Sequence, residues 1–308
     1  MRSMRAAVKS NSKKALRNQY GHAMVIIMLL IGINTFFMLL DAIISMVLNM
    51  PIFMNTEGYF TPSLIRDINL SIPLIVSNIV LAVLAFLVMT PFYYGINGWF
   101  FRMVGNENSE ISSAFNYFES FNGMFKVWAA EISVGLRKIF YFILFILPGT
   151  FAAAIGYRFE EAATADFDHS RYILAQMIEI LGLCLIIIGV LCFLIYAKKY
   201  QFVKYLIAYD SKLKGRQAIK RSIKMSNGNK LDLFVFDLSY LLWFATCIAV
   251  IPALYVLPYY MTGRALYSRV ILEKFYLKEK ENTEKTSAEP DFPGVSQEKI
   301  TTENTQEN

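Results

Sequence analysis

Three cysteines and two histidines are all that 308 residues hold of the softest metal and redox ligands. Cys184, Cys192 and Cys247 lie inside apolar runs, without C-x-x-C spacing or a nearby histidine. That excludes a zinc finger or a dithiol pair, and the three read as small buried hydrophobes. His22 and His169 fall in different segments, on opposite sides of the membrane expected below. The motifs G-x-S-x-G, H-E-x-x-H and G-x-x-x-x-G-K-[ST] are absent. The sequence therefore predicts no metal, no cofactor and no enzyme. Charge is scarce as well: 18% of residues are charged, against about 25% in an average soluble domain.

What abounds is apolar. Hydrophobic residues make up 56%, with 25 Phe and 18 Tyr, and mean hydropathy is +0.41. A helix needs about 20 apolar residues to cross the hydrocarbon core. Six segments reach or approach that length: 23–48, 71–92, 138–156, 172–196, 231–251 and 253–271. The expected fold is all-α, a polytopic membrane protein of six transmembrane helices with short interfacial amphipathic helices. The first run is too long for a signal-peptide core of about 7–15 residues and is expected to remain as the first span. Aromatic clusters at Phe92-Tyr93-Tyr94, Trp99-Phe100-Phe101 and Tyr259-Tyr260 mark expected membrane interfaces.

The cations are sorted by side. Of 30 lysines and arginines, only Arg66, Arg158 and Arg171 fall in the second and fourth connecting segments. The rest fall in the other set, ten of them from Lys198 to Lys230. This positive-inside pattern predicts a multi-pass protein of the cell membrane with both termini cytoplasmic. A net charge of +6 then points to anionic lipid headgroups on that side. Nucleic acid is not expected, because no basic-aromatic binding signature is present. Lys13, Lys14 and Arg17, and again Arg216, Lys220, Arg221 and Lys224, alternate with apolar residues such as Ala218, Ile219, Ile223 and Met225. That suggests helices lying on the cytoplasmic interface, apolar side in lipid. Residues 1–22 are thus a basic interfacial helix and 23–277 the membrane domain. Residues 278–308, rich in Glu, Thr and Lys, are expected to be a disordered cytoplasmic tail.

Pro91, Pro148 and Pro258 interrupt expected spans. Each removes a backbone donor, which lipid tolerates only if neighbours satisfy the freed carbonyl. Pro252 is expected to turn the fifth run into the sixth as an antiparallel hairpin. A threefold repeat is also suggested: a charged helix and then an Asn/Gly break, at 6–21, 109–123 and 216–228. In it, Asn-Gly supplies the left-handed residue that ends each helix.

The segment 205–269 reads Tyr205-Leu206-Ile207-Ala208-Tyr209-Asp210, then Gln217-Ala218-Ile219, Ser222 and Met225. It continues through Asn227-Gly228-Asn229-Lys230, Leu233-Phe234, Asp237-Leu238-Ser239, Trp243-Phe244 and Val256-Leu257-Pro258-Tyr259. This resembles the bacterial integral membrane family known as domain of unknown function 975. Upstream, Pro91, Gly95, Arg102 and Ile146-Leu147-Pro148-Gly149 fit the same family. The resemblance implies six membrane helices and brings no catalytic residues. One departure stands out: roughly fifty residues separate Pro148-Gly149 from Tyr205, more than the family's pattern has. Either the fourth span is lengthened or an acidic external loop (Glu160, Glu161, Asp166, Asp168) is inserted.

Ionisable groups inside a membrane are costly and default to functional candidates. Asp237 and Arg264 sit at matched depth on the expected hairpin, as a candidate intramembrane ion pair. It would act either as a gate or anion site or as a staple fixing register. Asp41, Asn78, Thr150 and Glu179 fall at comparable depth on four spans, as a candidate outer polar band. It would be either an outward-open cavity or ordinary interhelical hydrogen bonding. Asp166-Phe167-Asp168-His169 reads as a solvated loop. The functional expectation is a non-enzymatic membrane scaffold or lipid-associated assembly factor. A small-molecule or peptide transporter or exporter is the alternative, and a lipid-modifying enzyme the third reading.

Overall fold

A computed structural model describes residues 2–47, 72–105, 110–165, 169–210, 212–247 and 250–287. None of these residues forms a strand. The helices are α1 (Arg2–Val47), α2 (Ile72–Met103), α3 (Phe121–Ala165), α4 (His169–Ala197), α5 (Val203–Tyr209), α6 (Gly215–Ser226), α7 (Lys230–Leu238), α8 (Leu241–Thr246) and α9 (Val250–Ser287). Short 3-10 turns sit at Ile111–Phe115 and Lys198–Tyr200. Among the described residues, four segments are long and apolar enough to cross a membrane: Met4–Ile44, Val76–Met103, Phe121–Thr164 and His169–Tyr209. The other two expected spans take a different form. The fifth run is broken into α7 and α8 by Ser239-Tyr240, and the sixth lies within α9. Even so, ring contacts pair the two runs antiparallel: Phe236 meets Tyr267 at 5.2 Å, Tyr240 meets Tyr260 at 5.2 Å and Phe244 meets Tyr260 at 4.9 Å. Pro252 does not turn the chain but occupies the first turn of α9, where a missing N–H costs nothing.

The packed core lies at one end of the helices. The first half of α1 packs along α9, burying Val8, Leu16, Ala23, Ile26 and Ile27. The second half of α2 is buried all round, with Phe92, Tyr94, Trp99 and Phe100 at 0–1% exposure. The far halves of α1 and α2 and most of α3 and α4 present exposed Leu, Ile, Val and Phe, as a lipid-facing surface would.

Two of the three prolines leave carbonyls that a neighbouring helix satisfies. Pro91 cannot donate to Leu87, and the Trp128 indole of α3 donates to that carbonyl at 3.1 Å. Pro258 cannot donate to Leu254, and the Tyr20 hydroxyl of α1 reaches that one at 3.4 Å. These aromatic donors thus tie α2 to α3 and α9 to α1.

Helices α3 and α4 form a close hairpin along their length. A methyl added at Gly182 would lie 2.5 Å from the Ala153 nitrogen, and one at Gly149 would lie 2.6 Å from the Ile186 nitrogen. Small residues let the two backbones meet, as in other membrane helix pairs. The additional length after Pro148-Gly149 is therefore helix. Glu160 and Glu161 belong to α3 rather than to a loop, and Asp166 and Asp168 lie outside the described residues.

Other residues that carry the family resemblance have packing roles. Gly95 lets α2 touch the backbone carbonyl of Ala114, and Arg102 donates to the Ser113 carbonyl at 3.0 Å. Together they clamp the turn at Ile111–Phe115 onto α2. Gly228 takes φ +82 and ends α6, the left-handed residue expected there. The threefold repeat does not extend to the other two sites. Near Gln19, α1 only kinks (φ −128, ψ 24) and continues helical. The segment at 111–115 is a 3-10 turn, and Asn122-Gly123 begins α3 rather than ending a helix. Residues 278–287 extend α9 instead of starting a disordered tail. An established helix adds residues without a new nucleus, so even this polar stretch propagates it. Residues 288–308 lie outside the described set.

Candidate functional site

The tyrosines and lysines at the packed end of the helices are interleaved: Tyr196, Lys198, Lys199, Tyr200, Lys204 and Tyr205. The chain turns from α4 into α5 here through the 3-10 turn at Lys198–Tyr200. That geometry throws successive lysines to different sides, so each finds its own site.

Lys198 forms an ion pair with Asp237 of α7 through Oδ2. Arg264 of α9 is the second cation, its Nε 4.0 Å from Asp237 Oδ1. The Arg264 guanidinium also lies 5.3 Å from the Tyr260 ring centre. The structure therefore places the sequence-derived partners side by side, with Lys198 nearer to the carboxylate than Arg264. At 4.0 Å the arginine contact is not a hydrogen bond, and among the described residues Asp237 Oδ1 and Arg264 Nε have no hydrogen-bond partner.

Lys199 is 6% exposed, held 3.5 Å from the Tyr196 ring, 4.1 Å from Tyr141 and 4.8 Å from Tyr200. Three ring faces replace part of the water an ammonium loses on burial. The Ser222 hydroxyl donates to the Lys199 carbonyl at 2.7 Å, which locks α6 to this turn.

Lys204 points the other way. Its ammonium lies 3.7 Å from the Tyr93 ring centre, beside Tyr94, whose hydroxyl donates to Glu131 Oε2 at 2.9 Å. Lys204 and Glu131 line a cleft of about 560 Å³ bounded by α1, α2, α3 and α5. Its other walls include Leu30, Asn34, Phe86, Met89 and Thr90. Nearby, burial pushes the Tyr117 phenol up to about 12 against the opposing pull of Arg102, so it stays neutral across ordinary pH.

The remaining sequence-derived residues are spread out. Asp41, Asn78 and Thr150 are exposed on α1, α2 and α3, and the Thr150 hydroxyl donates within its own helix to Leu147. Glu179 of α4 is half-buried where α4 crosses Gly156 of α3. Lys13, Lys14 and Arg17, and Arg216, Lys220 and Lys224, are exposed. Arg221 instead donates to the Tyr276 hydroxyl of α9 at 3.0 Å. The apolar sides of both helical segments face protein rather than lipid. Ala218, Ile219 and Met225 are buried, and so are Val8 and Leu16. An apolar stripe alone does not say which of the two will cover it; here α9 covers α1, and α5, the turn at Lys198–Tyr200 and α3 cover α6.

Lys198, Lys199, Lys204 and Glu131 were missed as site residues. The available signal was the alternation of Tyr with Lys from Tyr196 to Tyr205, in a stretch otherwise counted as loop cations.

Residues 1–274 match the family described as protein of unknown function (DUF975). No curated protein and no solved structure matches the chain.

Proposed function

For a chain that belongs to the family described as protein of unknown function (DUF975), we propose a non-enzymatic role: a lipid-associated scaffold or assembly factor of the cell membrane. In this reading the protein crosses six times and both termini are cytoplasmic. Helices α1 to α4 supply four spans, and α7–α8 with α9 supply the antiparallel pair that completes six. The observation that carries the lipid reading is the sidedness of α1 and α6. The apolar sides of the first turns of α1 and of α6 are fixed against protein, and Lys13, Lys14, Arg17, Arg216, Lys220 and Lys224 are exposed on their other sides. Each basic residue near an anionic surface contributes about 1 kcal/mol, so the array favours anionic headgroups.

A transporter is the second reading, favoured by one observation: the charged cleft that reaches Lys204 and Glu131.

The test is the lipid retained by the full-length protein extracted from a membrane of mixed anionic and zwitterionic lipid. Wild type should carry an anionic-enriched annulus, and the variant with those six residues changed to glutamine should lose the enrichment. An unchanged annulus would overturn the lipid reading. Solute flux through proteoliposomes that the Lys204→Met variant abolishes would favour the transporter.

A further inference from the structure

We propose that the cleft between α1, α2, α3 and α5 binds one phospholipid whose headgroup carries both a phosphate and a primary ammonium, phosphate toward Lys204 and ammonium toward Glu131. The inference rests on the lipid-associated reading and names the lipid for one site.

Three observations carry it. First, the cleft holds opposite charges that attract at a distance without touching. Lys204 and Glu131 both line it, yet neither forms an ion pair with a described residue. The nearest described neighbours of Lys204 are aromatic faces, Tyr93 at 3.7 Å and Tyr94 at 5.4 Å. Glu131 takes one hydrogen bond, from Tyr94 to Oε2, so its carboxylate keeps acceptor capacity. Two charges of opposite sign that face one cleft without touching fit a zwitterion better than a simple anion or cation.

Second, the cleft is polar at one end and apolar at the other. Tyr93 and Tyr94 belong to an aromatic cluster of the kind that sits at headgroup level. From there the walls turn mainly apolar, to Phe86, Met89 and Leu30, with Thr90 and Asn34 between them and the Asn34 amide donating to the Leu30 carbonyl of its own helix. Beyond the mouth, α2 shows Leu84 at 48% exposure and Val88 at 37%. This is a headgroup pocket that opens onto a track for acyl chains. A free polar solute would have no use for the apolar half.

Third, the volume suits a headgroup with the start of its chains, not a whole lipid. About 560 Å³ lies within the range of small-molecule sites.

The experiment uses the full-length protein in detergent micelles, with bound lipid counted by native mass spectrometry. The probes are phosphatidylethanolamine, phosphatidylcholine, phosphatidylglycerol and free phosphoethanolamine. Wild type should retain one phosphatidylethanolamine about tenfold more tightly than the other two lipids, the scale of one charge-assisted hydrogen bond. Glu131→Gln should erase the preference for phosphatidylethanolamine over phosphatidylglycerol. Lys204→Met should weaken all three lipids, and Lys204→Arg should restore them. If Lys204→Met fails to fold, Glu131→Gln and Lys204→Arg decide the matter. Unchanged selectivity in Glu131→Gln would overturn the proposal. So would displacement of the lipid by equimolar free phosphoethanolamine, which would mean that the site reads a solute. If the anionic annulus of α1 and α6 persists while this site shows no selectivity, the cleft proposal alone has failed.

Discussion

Trp128 donates its indole N–H to the Leu87 carbonyl at 3.1 Å, the acceptor that Pro91, four residues on, cannot serve. A carbonyl stranded away from water costs about 1–3 kcal/mol. Trp128→Phe should therefore lower the unfolding free energy in detergent by that order. Pro91→Ala supplies the missing backbone donor, so adding it to Trp128→Phe should recover part of the loss. Additive losses in the double variant would show that the two residues are not coupled.

The charge triad gives a ranked prediction. Lys198 pairs directly with Asp237, and Arg264 stands off at 4.0 Å. Removing one partner of a buried pair costs roughly 3–5 kcal/mol. Asp237→Ala should fall in that range. Double-variant cycles should give a larger coupling for Asp237 with Lys198 than for Asp237 with Arg264. Equal couplings, measured by thermal unfolding, would contradict the geometry.

The α3–α4 hairpin should tolerate no side chain at Gly182, where a methyl would meet the Ala153 backbone at 2.5 Å. Gly182→Leu should pry the helices apart and lower the yield of folded protein. Gly32→Leu is the matched control, because a methyl there meets nothing within 4 Å. Similar losses from both changes would show that backbone approach is not what matters.

Gly228 makes a separate point about the backbone. At φ +82 in open space, Gly228→Ala strains the chain without a clash and should cost about 1–2 kcal/mol. Gly228→Asn should cost less, because Asn visits that region more readily. A stability loss in Asn as large as in Ala would argue against the left-handed turn.

These comparisons show what was readable from sequence. The four long apolar runs became helices because about 20 apolar residues in lipid have few other options. The turn at Asn227-Gly228 was readable because glycine alone takes that conformation without strain. The break at Ser239-Tyr240 was not, since hydropathy is blind to where a helix stops. Nor was the cover on α1 readable: Tyr259 reaches the Lys9 carbonyl at 3.4 Å across 250 residues of sequence. At the candidate site, Asp237 and Arg264 stood out because charges inside an apolar run are conspicuous. Lys198 and Lys204 did not, since a cation tally treats a buried lysine and a loop lysine alike.

Reporter insertion between α8 and α9 decides between six spans and four. A reporter active only in the cytoplasm should work when fused after Leu277 and fail when inserted after Ala165, between α3 and α4. Inserted after Cys247, between α8 and α9, it should also fail, while a reporter active only outside should work there. Cytoplasmic activity after Cys247 would mean that α7, α8 and α9 do not cross, leaving four spans and contradicting the account.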